Sequence, residues 1–194
     1  MEFHKNNHGF TLIELVVVII ILGVLAVVAA PKFIDVSKDA KIAVLHGLHG
    51  SIQSATQLAT AKIAIIASSQ YPDIYNDSSQ LVDMGNGVGS IRFVYGRFRA
   101  ASDGIIRAID ASLYYSLQAD SHTVCEPQGH DFCAFYINVF NNRIHNIVFL
   151  QQGIKASDNC YIRWYQDTDT SGQIVNGQTP EQALNSDINV SGCK

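Results

Sequence analysis

From Leu15 to Ala30 the chain is apolar at every position, with Gly23 as the only residue that lacks a side chain. Together with Phe10 to Ile13 this gives roughly 20 residues, the length a helix needs to cross a bilayer. One carboxylate, Glu14, stands inside that stretch. A charge at the centre of a membrane costs about 2.5 kcal/mol or more, so such a residue usually has a function. After Pro31 the pattern becomes amphipathic. Phe33, Val36, Ala40, Val44, Leu48, Ile52, Ala55 and Leu58 recur at steps of three or four, while Lys32, Asp35, Lys38, Asp39, Lys41, Gln53 and Gln57 fill mostly other positions. That spacing predicts one helix from about Thr11 to about Ala67, with the second half laid onto a core. Pro31 removes one ladder hydrogen bond and is expected to kink the helix rather than end it. Gly47 and Gly50, inside the helix, each cost about 1 kcal/mol relative to Ala, which suggests close backbone packing there.

The remainder reads as short strands and turns. Residues 68–89 carry Pro72, the run Asn76-Asp77-Ser78-Ser79 and three glycines, and predict a long connection. Ile91 to Phe98 predicts a strand broken near Gly96. Between Asp103 and Leu117, the residues Ile105, Ile106, Ile109, Leu113 and Leu117 fit one helical stripe. Phe132 to Phe140 and Arg143 to Leu150, joined at Asn141-Asn142, predict a β-hairpin. Cys160 to Tyr165 predicts a third strand, and Asp167 to Lys194 mostly loop, with a short helix from Pro180 to Leu184. The class expected is α+β: a long N-terminal helix on a small antiparallel sheet.

Charge and cysteines narrow the function classes. Thirteen Lys and Arg against seventeen Asp and Glu give a net charge of −4. There is no global attraction to nucleic acid or an anionic membrane. Cys125, Cys133, Cys160 and Cys193 all lie in the C-terminal part, which faces an oxidising compartment once the helix is inserted. Three pairings are possible, of which Cys125–Cys133 and Cys160–Cys193 are favoured. The first closes a tight loop around Glu126-Pro127-Gln128-Gly129, and the second ties the C-terminal tail to the last strand. His122-x-x-Cys125 and His130-x-x-Cys133 are the competing zinc spacing. His46 and His49 stand three apart without a third ligand.

Asp167-Thr168-Asp169-Thr170-Ser171-Gly172 resembles the opening half of an EF-hand loop, so Asp167, Asp169 and Ser171 are calcium candidates. Gln178 stands where the closing bidentate acid belongs, which favours a polar turn. Arg92, Arg97, Arg99 and Arg107 interleave with Phe93, Tyr95 and Phe98, a combination that could touch DNA or an anionic glycan, against a solvated sheet face as the plainer reading. No nucleophile motif, phosphate loop or acid pair points to an enzyme, and no cofactor is implied.

The run Gly9-Phe10-Thr11-Leu12-Ile13-Glu14-Leu15 and the apolar stretch after it resemble the N-terminus of type IV pilins and of the pseudopilins of type II secretion. Residues 16–23 and 29–33 are most similar to mannose-sensitive haemagglutinin (MSHA) pilins. The resemblance covers about the first 65 residues and implies four segments: a leader at 1–9, a transmembrane and filament-core helix half at 10–31, an amphipathic half at 32–67, and a head at 68–194. It implies cleavage by a prepilin peptidase between Gly9 and Phe10, N-methylation of Phe10, and a role for Glu14 in subunit addition. Cleavage would free a cationic amine at Phe10, four residues from Glu14, so the two can share a helical face. The implied protein is a structural subunit of an MSHA-like pilus, single-pass in the inner membrane before assembly and in an adhesive surface fibre after it. A minor pilin or a pseudopilin is the alternative. Its implied partners are further copies of itself, the peptidase, the assembly machinery and a surface or glycan ligand.

Overall fold

The computed structural model describes residues 10–194 apart from 72, 76–78, 86–87, 110, 118, 127, 139–143, 168–173, 175–177, 180–181, 183 and 194. Among the described residues, one helix, α1 (Leu12–Gln70), precedes eight strands: β1 (Gln80–Asp83), β2 (Ser90–Val94), β3 (Arg97–Phe98), β4 (Leu113–Ser116), β5 (Phe132–Asn138), β6 (Ile144–Gln151), β7 (Tyr161–Asp167) and β8 (Leu184–Asn189). A single-turn helix, α2 (Ile105–Ala108), lies between β3 and β4. The chain is α+β, a long N-terminal helix with β-sheet, as in type IV pilins. Its described residues divide into two compact units, 10–40 and 41–193. α1 runs through Pro31 without a break.

In the second unit, Leu45, Leu48, Ile52, Ala59, Ile63 and Ala67 of α1 are buried in one cluster with Phe132 and Ala134 of β5, Ile147 and Phe149 of β6, and Ile162 and Trp164 of β7. The amphipathic half therefore does lie on a core, as expected for Leu48, Ile52 and Ala55, but the rest of the stripe differs from the expected one. Val44 and Leu58, expected to face inward, are exposed, as are Phe33 and Val36 in the first unit. The sequence has two overlapping rows of apolar residues, and the row that holds Leu45, Ile52 and Ile63 meets the sheet.

The sheet of five has the order β4-β5-β6-β7-β8, and a sheet of three has the order β1-β2-β3. The β5–β6 hairpin pairs Phe132 with Gln151 through Asn138 with His145, and its turn lies outside the described residues. The expected strand break at Gly96 is a two-residue turn. Tyr95 and Gly96 both have positive φ, 49° and 75°, which suits the right-handed twist of a hairpin.

Four expectations are corrected. The sheet is not wholly antiparallel, because β4 runs parallel to β5, with Leu113 opposite Phe132. The stripe from Ile105 to Leu117 is a helix only over Ile105–Ala108. Its later part is β4, where Leu113 and Tyr115 reach the main core and Tyr114 reaches the other face of the sheet. The stretch from Asp167 to Lys194 is not mostly loop, since β8 pairs with β7 from Tyr161–Asn189 to Gln166–Leu184. Finally, Gly47 and Gly50 are not closely packed against other described residues: apart from the helix's own nearby backbone, a Cβ built on either meets no atom within 4 Å. Gly50→Ala in the full chain in detergent is accordingly expected to raise stability by about 0.5–1 kcal/mol, by removing backbone entropy from the unfolded state. Thermal or urea unfolding reads this directly, and an unchanged or lower midpoint would contradict the open surroundings.

Two disulfides fasten the second unit. Cys125–Cys133 anchors the segment before β5 to the face of the sheet away from α1, where Phe135, Ile137, Val148 and Leu150 form a second apolar cluster. Backbone hydrogen bonds from Cys125 to the Ile154 carbonyl (2.9 Å) and from Gly153 to the Cys125 carbonyl (2.9 Å) hold the same segment. Cys160–Cys193 joins the residue before β7 to the chain after β8. There Gly192 donates its N–H to the Asn159 carbonyl at 3.0 Å.

Candidate functional site

α1 begins with a reciprocal cap. Thr11 precedes the first helical residue, and its hydroxyl oxygen accepts the Glu14 backbone N–H at 3.3 Å. In return, the Glu14 carboxylate accepts the Thr11 N–H at 2.8 Å and the Thr11 hydroxyl at 2.7 Å. This is a capping box, in which the first and fourth positions satisfy each other's orphan donors. Its sequence signature is Thr-x-x-Glu before an apolar run. A carboxylate in the first turn also meets the positive end of the helix dipole.

The surroundings of Glu14 are apolar and open. Phe10, Ile13, Val17 and Val18 line a shallow groove beside it. Beyond it almost every large side chain is exposed, from Leu12 at 80% to Val27 at 75% and Val28 at 66%. Among the described residues this helix alone is long and apolar enough to cross a membrane. Burying each such Leu, Ile or Val is worth about 1.5–3 kcal/mol, so the surface is far from equilibrium in water and needs lipid or protein against it. Gly9, the residue before the expected cleavage point, lies outside the described residues.

The structure does not gather the other candidates into a second centre. Of the calcium candidates, Asp167 ends β7, and Asp169 and Ser171 lie outside the described residues. Among the described residues no group of three His, Cys, Asp or Glu is arranged to hold a metal. Cys125 and Cys133 are bonded to each other, so neither offers the thiolate that the zinc spacing requires. His49 Nε2 lies 3.0 Å from the Ser186 hydroxyl oxygen, which places it between α1 and β8 rather than beside a ligand. The arginines are engaged within the fold. Arg92 and Arg99 share Asp103, at 2.7 Å and 3.5 Å, and Arg107 donates to the Ser90 carbonyl at 2.8 Å. Arg92 also donates to the Ser79 hydroxyl. With those cations held by a carboxylate and a carbonyl, the basic run is a structural brace rather than a free phosphate-binding row.

Residues 4–30 match the family model of the prokaryotic N-terminal methylation motif. The chain carries a prokaryotic N-terminal methylation motif. Over 54 residues it is also 41% identical to the type IV narrow pilus major component PilA5 of Thermus thermophilus. That match takes in 28% of this chain and 47% of the relative, so the chain spans about half the length of the curated protein it matches. No solved structure matches the chain. The methylation-motif match lies in the N-terminal region, where the capped Glu14 and the bare apolar helix are found.

Proposed function

We propose that this chain is a structural subunit of an MSHA-like type IV pilus, assembled from the inner membrane into a surface filament that serves cell adhesion. The carrying observation is the exposed apolar surface of α1 from Leu12 to Val28, with one carboxylate at its beginning. In the precursor, lipid covers that surface and the chain is single-pass. In the filament, the same surfaces of neighbouring subunits cover one another. A prepilin peptidase would cut between Gly9 and Phe10, and methylation would follow on the Phe10 amine. That amine is cationic and reaches the Glu14 carboxylate of its own or a neighbouring subunit. Two opposite charges leaving water together avoid the several kcal/mol that either alone would cost. Residues 10–31 then form the filament core, 32–67 the bridge to the head, and 68–194 the outer surface. No enzymatic step is assigned.

The test is the mass of the subunit in fibres sheared from the producing cell. An abundant chain starting at N-methylated Phe10 is expected. A processed chain confined to the membrane, or present only in traces in fibres, would replace this reading with a minor pilin or a type II secretion pseudopilin.

A further inference from the structure

β8 ends the order of the five-stranded sheet, so one of its two edges has no neighbouring strand among the described residues. A bare edge presents unpaired N–H and C=O groups, onto which another extended chain can add. The usual guards are missing from Leu184–Asn189. The strand contains neither Pro nor Lys, and at six residues it is of ordinary length. Its single charge, Asp187, is matched by Arg163 of β7. Arg163 Nε donates to Asp187 Oδ1 at 3.0 Å, and Nη2 donates to Oδ2.

A different device stands in their place. The Ser186 backbone N–H donates to Asn185 Oδ1 at 2.8 Å. Asn185 is exposed, yet its oxygen turns back onto its own strand rather than out to water. Along an extended strand, successive amides point to opposite edges. An N–H held by a β7 carbonyl is not free to meet the carboxamide beside it, so the Ser186 N–H points outward, with those of Leu184 and Ile188. Asn185, Asp187 and Asn189 then turn their amides to β7, opposite Tyr165, Arg163 and Tyr161. Of the three outward amides the middle one is occupied. Ser186 is also pinned from α1, because its hydroxyl oxygen lies 3.0 Å from His49 Nε2. A second asparagine closes the end of the strand, where Asn189 Oδ1 accepts the Ser191 N–H at 3.1 Å and the Ser191 hydroxyl at 2.8 Å. Side-chain bonds of this local kind compete with sheet ladders.

We propose that the Asn185 carboxamide plugs the free edge of the five-stranded sheet, shutting out extended polypeptide that would otherwise add antiparallel to β8. Strand addition draws its affinity from main-chain hydrogen bonds. With the Ser186 N–H occupied, an incoming strand loses its central donor. It must displace the carboxamide or leave a carbonyl unpaired out of water, and either is costly. The strand shut out has the chemistry of β7, since residues 161–167 already pair with β8 along its other edge. The sheet therefore stops at β8 without Pro or Lys there. The plug belongs to the single subunit and holds whether or not the chain assembles into fibres.

The test uses the ¹⁵N-labelled full chain in detergent micelles and a peptide with the sequence of residues 161–167, acetylated and amidated at its ends. Asn185→Ala should speed amide exchange at Ser186 at least fivefold, after correction for intrinsic rates, and leave Asp187, which faces β7, within about twofold of the parent. Asn185→Asp, which keeps an acceptor oxygen, should preserve the slow exchange at Ser186. The peptide should bind Asn185→Ala at least tenfold more tightly than the parent chain, with shifts at Leu184, Ser186 and Ile188. Unchanged exchange at Ser186 in Asn185→Ala would overturn the proposal, as would peptide binding no tighter than the parent's. Faster exchange throughout Leu184–Asn189, rather than at Ser186 alone, would make Asn185 a stabiliser of the strand and overturn it too.

Discussion

Glu14→Ala is expected to leave leader removal intact and to lower fibre yield by at least tenfold, as read from sheared-fibre mass per cell. Two roles compete for the Glu14 carboxylate, and they predict different companions to that loss. As a cap it supplies acceptors for the Thr11 N–H and hydroxyl, an interaction worth about 1 kcal/mol to the first turn of the helix. As a charge it offers a partner for the Phe10 amine when both leave water, where an unpaired ion costs several kcal/mol. A factor of ten in an equilibrium is only about 1.4 kcal/mol, so the second role is large enough to stop subunit addition and the first is marginal. Glu14→Gln separates them, because a capping box tolerates Gln at this position. Glu14→Gln should fail in assembly almost as badly as Glu14→Ala, whereas Thr11→Val, which removes the capping hydroxyl and leaves the charge, should assemble close to normally. Normal fibres from Glu14→Gln would reduce Glu14 to a helix cap.

Gly192→Ala is expected to destabilise the second unit by about 3–5 kcal/mol, within the range of the most damaging single substitutions. A Cβ on Gly192 would overlap the carbonyl oxygen of Asp158, and the Cβ of Asn159 lies 3.3 Å from it. The obstacle is backbone rather than the end of a flexible side chain. That backbone is fixed in turn by the left-handed conformation of Asn159, at φ 57°, and by the Cys160–Cys193 bond beside it. Nothing can yield cheaply, so the C-terminal turn must lift away. The readout is the unfolding midpoint of the full chain in detergent, with Gly50→Ala as the opposite control. An unfolding midpoint within experimental error of the parent chain would refute the close approach.

Much of this was legible in the sequence, for identifiable reasons. The apolar run and the lone Glu14 are local signals of great length, and the β5–β6 hairpin is two apolar runs, each with aromatic residues, because both faces of these strands are covered. The full stripe of α1 was harder. Val44 and Leu58 fit a helical spacing with Leu48 and Ile52 as well as Leu45 and Ile63 do, and only the sheet decides between them. β8 was missed because Leu184-Asn185-Ser186-Asp187-Ile188-Asn189 has little intrinsic strand preference. Its strand state is owed to β7, to the Arg163–Asp187 pair and to the Cys160–Cys193 bond, all of them distant in sequence. β4 was misread for a related reason. Leu113 and Leu117 happen to continue the spacing of Ile105 and Ile109, while the parallel partner that makes Leu113–Ser116 a strand lies after the Cys125 segment.

The Cys160–Cys193 bond also bears on how the head would respond to force. β8 is an edge strand, and in an unbonded sheet a pull on its residues would peel it from β7 one hydrogen bond at a time, starting from whichever end is loaded. The bond closes the Tyr161–Asn189 end covalently, across a sequence separation of 33 residues. Peeling from that end is blocked, and tension entering there passes through sulfur rather than through the ladder. An anchoring load on Tyr161 or Asn189 would therefore be carried by a covalent link into the sheet, while the Gln166–Leu184 end is held by packing and hydrogen bonds.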